Sequence, residues 1–201
     1  MAPVGIREQR RRDTTALIVE TAWDICRHEG LAGLSLRDLA ARVGMRAPSL
    51  YSYFESKHAI YDAMFRQGNE EFAEAMRGAV PDGQLDRSAL KAAARAFVDF
   101  CTADPVRYQL LFQRTIPGFE PSPESFAVSI ATYEEMRRQL TAVGLESEEA
   151  LDLWTAIVTG LADQQISNDP GGVRWARLTA RAVDMYLDHM GVLPAHQGEH
   201  A

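Results

Sequence analysis

Apolar side chains recur along this chain at intervals of three and four residues, and sustained apolar/polar alternation is missing. Valine and isoleucine are scattered, without the longer β-branched clusters that strands favour. The pattern predicts helices throughout. The first runs from about Thr14 to Glu29, capped by Asp13 or Thr14. Leu17, Ile18, Thr21, Ala22, Ile25 and Cys26 line one face, and Gly30 supplies a left-handed stop. Ser35-Leu36-Arg37-Asp38 then has the form of a capping box, with the hydroxyl first and the acid three residues later. The helix it opens carries Leu36, Leu39, Ala40 and Val43 and halts at Gly44. A third, short helix covers about Ala47 to Tyr53, and Ser56 caps a fourth that runs toward Met76.

Beyond a loop at Pro81 to Gly83, a fifth helix spans about Arg87 to Thr102, with Leu90, Ala94, Phe97 and Cys101 on one stripe. Asp104-Pro105 places proline at the first position of a sixth helix, which reaches about Arg114. A loop from Thr115 to Pro123 precedes a seventh helix, about Glu124 to Ala142, stopped at Gly144. Ser147-Glu148-Glu149 opens an eighth to about Ile166, and Asn168 to Gly172 is a strong breaker. A ninth helix reaches about Met190, and the tail from Pro194 is expected to fray. The fold class is therefore all-α: short helices first, longer packed helices afterwards.

Composition narrows the class. A chain of 201 residues, 46% hydrophobic and 24% charged, is neither a disordered segment nor a small disulfide scaffold. The longest nearly apolar run, Leu151 to Ala162, is broken by Asp152, Thr155 and Thr159, so no membrane span is expected. Glu20 and Asp24 interrupt the apolar stretch after the basic Arg7 to Arg12 run, which excludes a secretory signal. Cys26 and Cys101 stand far apart and fit buried apolar positions in a reducing cytosol, so a cytoplasmic location is expected.

The net charge of −7 argues, as an average, against a nucleic-acid partner. Divided at residue 66, it changes meaning. Residues 1–66 hold 10 Lys/Arg against 8 Asp/Glu, net +2, and residues 67–201 hold 11 against 20, net −9. Arg7, Arg10, Arg11 and Arg12 concentrate positive charge at the N-terminus and read as a basic arm. Two domains are expected, 1–66 and 67–201.

Residues 30 to 57 carry the chemistry. Two short helices joined at Val43-Gly44-Met45 form a helix-turn-helix, a motif whose second helix presents its N-terminal residues to the major groove. Small Ala47 and Pro48 permit close approach and contact with a thymine methyl. Arg46 reaches a guanine edge or a phosphate, and Ser49 a base or a phosphate oxygen. Ser35 and Arg37 sit at a helix N-terminus, which favours phosphate. Tyr51, Tyr53 and Lys57 offer hydroxyls and an ammonium to the backbone on the other flank, whereas Phe54 fits the core.

The run Gly33-Leu34-Ser35-Leu36-Arg37-Asp38-Leu39-Ala40-Ala41-Arg42-Val43-Gly44, then Pro48-Ser49-Leu50-Tyr51-Ser52-Tyr53-Phe54-Glu55-Ser56-Lys57, resembles the N-terminal signature of TetR-type transcriptional repressors. Cys26 stands where that family commonly has phenylalanine, and Arg46-Ala47-Pro48 where a Ser-Lys-Gly-like start is common. The resemblance implies that Ser35, Arg37, Ala47, Pro48, Ser49, Tyr51, Tyr53 and Lys57 face DNA. It further implies a homodimer whose C-terminal region binds a small-molecule inducer.

The acidic region carries no Walker lysine loop, GxSxG elbow, HExxH or dinucleotide fingerprint, so neither an enzyme nor a cofactor is expected. His189, His196 and His200 fit a solvent-exposed end, and no metal site is expected. Tyr108 to Phe112, with Leu153-Trp154 through Ala162, resemble the sensor domain of one TetR subgroup. A ligand cavity would be lined by Phe97, Tyr108, Phe112, Phe126, Tyr133 and Trp154, with Gln109, Gln113 or Gln164 as polar anchors. The stripes Leu151, Trp154, Val158, Leu161 and Leu178, Val183, Leu187 on the last two helices suit a four-helix dimer interface, where Gly160 would permit close crossing. The expectation is a ligand-responsive repressor that binds a palindromic duplex operator as a dimer. A helical interaction module with a structural helix-turn-helix, and an enzyme using the C-terminal pocket, stand as alternatives.

Overall fold

The computed structural model describes residues 5–80 and 85–192; the loop expected at Pro81 to Gly83, the tail from Pro194, and His196 and His200 lie outside them. Regular structure among the described residues is entirely helical, as the apolar spacing predicts. The elements are α1 (Ile6–Glu29), α2 (Leu36–Arg42), α3 (Ala47–Leu50), α4 (Lys57–Ala79), α5 (Arg87–Ala103), α6 (Pro105–Phe112), α7 (Pro123–Ala142), α8 (Glu148–Asn168) and α9 (Thr179–His189). Single 3₁₀ turns cover Leu31–Gly33 and Ala176–Leu178. The described residues form two compact units. One holds those through Gly68 together with Gln109–Phe126, the other Asn69–Tyr108 and those from Ala127 onward.

In the first unit α1 starts at Ile6, eight residues before the expected Thr14. Nothing between Arg7 and Thr14 breaks a helix, because Arg, Glu and Gln are strong helix formers. Four-residue pairs also support the added turns: Arg12 on Glu8 at 2.7 Å and Gln9 on Asp13 at 2.8 Å. The basic run is thus helix rather than a loose arm. Ile18, Ala22, Ile25 and Cys26 are buried as expected, but Leu17 is 53% exposed. Gly30, at φ 75°, lets its N–H reach the Cys26 carbonyl at 2.8 Å and ends the helix. α2 packs on α1 and on α3, burying Leu39, Ala40 and Leu50. Phe54 is buried, as expected, and Ser56 Oγ caps α4 through the Ala59 N–H at 3.0 Å. In the Gln109–Phe126 segment, Phe119 lies edge-on to Tyr61 and Phe65. The Asp62 carboxylate accepts from Ser122 N–H at 2.6 Å, Ser122 Oγ at 2.9 Å and Ser125 Oγ at 2.8 Å.

In the second unit α5 packs against α8 and α9. Its stripe of Leu90, Ala94, Phe97, Val98 and Cys101 is buried. This packing gives the apolar stripes expected at a dimer interface a partner within their own chain. Leu151, Trp154, Val158, Val183 and Leu187 face inward and are buried, with Leu161 and Leu178 half-buried. An amphipathic α5 needs an apolar partner within its own chain, and these stripes supply it. Trp154 packs on Tyr186, whose hydroxyl donates to the Ala150 carbonyl at 2.8 Å. α9 begins later than the breaker suggests, because the intervening chain is pinned. Buried Gln165 Oε1 accepts the N–H groups of Trp175 at 2.8 Å and Ala176 at 3.0 Å. Arg87 holds the end of α9 by donating to the Val192 carbonyl at 2.7 Å and pairing with Asp184 at 3.1 Å and Asp188 at 2.6 Å.

Candidate nucleic-acid interface

The helix-turn-helix is assembled by local rules. Ser35 is extended, and its hydroxyl accepts the Asp38 N–H at 3.5 Å, which starts α2. The Asp38 carboxylate accepts from Arg42 Nε at 2.8 Å, so only half of the expected capping box forms. Gly44 takes φ 72°, which ordinary residues avoid, and redirects the chain into α3. α3 is a single turn, Ala47–Leu50, shorter than the expected helix to Tyr53, with proline in its first turn. Ser52 folds back on this turn, its N–H and hydroxyl both donating to the Ser49 carbonyl, at 3.2 and 2.7 Å.

Ser35, Arg37, Arg46, Pro48 and Ser49 are exposed, Ala47 is half-buried and Tyr51 is 54% exposed. Leu50, between them, is the anchor driven into the core. An exposed tyrosine and an exposed proline beside buried Leu50 form a rim that no other described residue covers.

Charge pairing sorts the arginines of this unit. Arg12 is held by Glu8, Arg27 by Asp24, and Arg42 by both Asp38 and Glu29. Arg37 and Arg46 have no acidic partner among the described residues, so their positive charge stays available on the rim.

Tyr53 and Lys57 differ from the rest. Tyr53 is half-buried under the Arg11 guanidinium, which sits 5.2 Å from the ring centroid while Arg11 Nη2 donates to the Ser52 carbonyl at 3.1 Å. Lys57 is half-buried too. Its ammonium donates to the Ala32 carbonyl at 3.2 Å and lies 5.5 Å from the Tyr61 ring. Tyr61, fully buried, donates its hydroxyl to the Leu31 carbonyl, and burial pushes that phenol up to about 12. Lys57 and Tyr61 together therefore hold the turn that delivers Ser35. Neither Arg11 nor Tyr61 stands out in the linear sequence. Only an unbroken helical spacing from Arg7 through Arg11 and Thr15 to Ile18 signals that Arg11 belongs to the packed face. Burial also pushes the Cys26 thiol up to about 11, which keeps it protonated and unreactive.

The residues expected to line a cavity lie in different settings. Phe97 is buried against Phe72, Trp154 against Tyr186, and Tyr108 is buried. Phe112, Phe126 and Tyr133 are exposed, and Gln164 is half-buried, accepting from Asn168 at 2.8 Å. Phe112 and Phe126 belong to the first unit and the other five to the second. Among the described residues no helix is long and apolar enough to cross a membrane, and no cluster of His, Cys, Asp and Glu could hold a metal ion.

Residues 18–64, which contain this helix-turn-helix, match the bacterial regulatory proteins of the tetR family. The HTH-type transcriptional regulator Mb1846 of Mycobacterium bovis is 29% identical over 126 residues, 62% of this chain and 54% of that protein. The tetracycline repressor protein class A from transposon 1721, from Escherichia coli, is 27% identical over 162 residues, 78% of this chain and 69% of that repressor. The aligned region thus spans about half (54%) of the length of Mb1846. Among solved structures, regulatory protein SCO4313 superposes with a TM-score of 0.77 at 22% identity, covering 93% of this chain and 100% of that one. The TetR family transcriptional regulator PfmR from Thermus thermophilus gives 0.61 at 20% identity, covering 85% and 97%. At these identities the structural likeness is one of fold.

Proposed function

The chain belongs to the tetR family of bacterial regulatory proteins, and from that premise we propose that it is a ligand-responsive transcriptional repressor binding a palindromic duplex operator as a homodimer. The observation that carries the reading is the uncovered rim of α2 and α3, where Arg37 and Arg46 keep unpaired charge beside exposed Pro48, Ser49 and Tyr51. In this reading residues 1–66 form the DNA-binding domain. Arg46 and the first turn of α3 address base edges, and Ser35, Arg37 and Tyr51 address phosphates. The Lys57 ammonium has three donors and gives one to Ala32, so it can still serve a phosphate; Tyr53, braced by Arg11, does so through its hydroxyl.

Residues 67–201 form the sensing and dimerising region in the same reading. With the apolar stripes of α8 and α9 turned inward, the interface falls to their outer faces, where Leu153, Ala156 and Gly160 on α8 and Met185 on α9 are exposed. A Cβ added at Gly160 meets nothing within 4 Å in its own chain. Mid-helix glycine costs about 1 kcal/mol against alanine, and close approach of a partner helix accounts for it. A C2 pair of reading heads spaced about 34 Å apart meets successive major grooves on one side of DNA. A small apolar inducer with a hydrogen-bonding group, acting in the cytoplasm, releases the operator by binding another spacing better.

Selection of bound duplexes from a random pool tests the function. Enrichment of an inverted repeat with half-sites about one helical turn apart supports it. Recovery of unenriched sequence, or of a single asymmetric site, overturns it.

A further inference from the structure

We infer that the first two turns of α1 form a rigid basic extension that binds the phosphate backbone of the same duplex, outside the base pairs read by α3, through Arg7 and Arg10. This rests on the DNA-binding reading above and adds a second contact region to it.

The helical repeat puts Arg7, Arg11, Ile18, Ala22 and Ile25 on one stripe of α1. Its inner part is core: Ile18, Ala22 and Ile25 have no exposed surface. Arg11 marks where the stripe leaves the core, tied to the Ser52 carbonyl at 3.1 Å and lying over the Tyr53 ring. Arg7 continues the stripe one turn further, about 6 Å along the axis, and is exposed, with exposed Arg10 flanking it. The extension therefore leaves the unit beside Ser52 and Tyr53, just after the α3 turn.

The charges around these two turns are sorted by side. Glu8 neutralises Arg12 on the flank away from Arg10, and Gln9 holds Asp13. Arg7 and Arg10 have no acidic partner among the described residues, like Arg37 and Arg46 on the rim. Guanidinium groups match phosphate geometry in pairs of hydrogen bonds. Because they stand on a formed helix, their backbone is ordered before DNA arrives, unlike that of a flexible arm. No base edge need be reached, so the contribution is to affinity and footprint length rather than to sequence preference.

The test uses the full chain and the duplex recovered by random-pool selection with it. Binding is followed by fluorescence anisotropy from about 50 to 200 mM salt, where each neutralised phosphate adds roughly 0.9 to the slope of log affinity against log salt. The Arg7→Gln/Arg10→Gln variant removes four arginines from the homodimer, so it should lose about 3.6 from that slope, keep the wild-type base preference and melting temperature, and lose hydroxyl-radical protection flanking the repeat. Arg12→Gln, on the paired flank, should keep the wild-type slope. An unchanged slope in the double variant overturns the inference, as does an altered base preference or an equal loss in Arg12→Gln. If the wild-type chain selects no duplex at all, the DNA-binding reading fails first and the extension with it. A selected duplex with an unchanged slope fails the extension alone.

Discussion

Lys57 and Tyr61 stand one turn apart on α4, and both hold the backbone of the turn that precedes Ser35, at Ala32 and Leu31. Lys57 was readable as a candidate phosphate contact, and Tyr61 was not singled out. Their partners were not legible, because a backbone carbonyl some 25 residues away leaves no mark in a sequence. The same holds for Arg11, whose partner is the carbonyl of Ser52. Exposed positions with little to bond inside the chain, Arg37, Arg46, Pro48 and Ser49, were legible from motif spacing alone. Tyr61→Phe keeps the ring and leaves the Leu31 carbonyl with only the 3.4 Å bond from the Leu34 N–H. It should cost about 0.5–1.5 kcal/mol in a denaturant titration. An unchanged midpoint would mean that the hydroxyl carries no part of the turn.

Element by element, start and stop chemistry was the most legible signal. Gly30 and Gly44 take positive φ, and Ser56, Asp104 and Ser147 cap α4, α6 and α8. Two kinds of feature escaped. A polar helix such as the start of α1 has no apolar period to betray it, and four-residue ion pairs are a weak guide in a linear reading. Which neighbour an apolar stripe meets is a tertiary matter. The stripes of α8 and α9 suited either a partner subunit or α5, and α5 covers them. The connection between α8 and α9 rests on one side chain. Gln165→Leu would leave the N–H groups of Trp175 and Ala176 without their acceptor, and should cost about 2–4 kcal/mol in a denaturant titration while α-helical content stays native.

For the molecule as a whole, the average charge of −7 conceals +2 over residues 1–66 and −9 over residues 67–201. Most of the acidity lies in the remainder, where it opposes loose adsorption to nucleic acid, so affinity must come from fitted contacts. Acid stability belongs to this scale because it joins distant helices. Hydrogen bonds from Lys91 and Arg87 hold the Asp184 carboxyl below its ordinary value. A depressed folded value stabilises fully above the unfolded carboxyl value of roughly 3.9 and fades as pH falls through the folded value. Thermal melts should therefore be flat near neutrality and decline below about pH 4, with a smaller acid decline in Asp184→Asn. An equal decline in that variant would locate the acid sensitivity elsewhere. Gly160→Leu raises helix propensity and meets open space in its own chain, so it should keep the fold and convert the proposed dimer to a monomer in sedimentation equilibrium. A dimer that survives would move the interface off this face of α8. The central claim, sequence-specific recognition by the exposed helix-turn-helix, is tested most directly by competition at one fixed salt concentration. The selected palindrome is set against a duplex of the same composition in scrambled order. Binding to the palindrome should be at least about 10³-fold tighter, and equal affinity for the two duplexes would rule out such recognition.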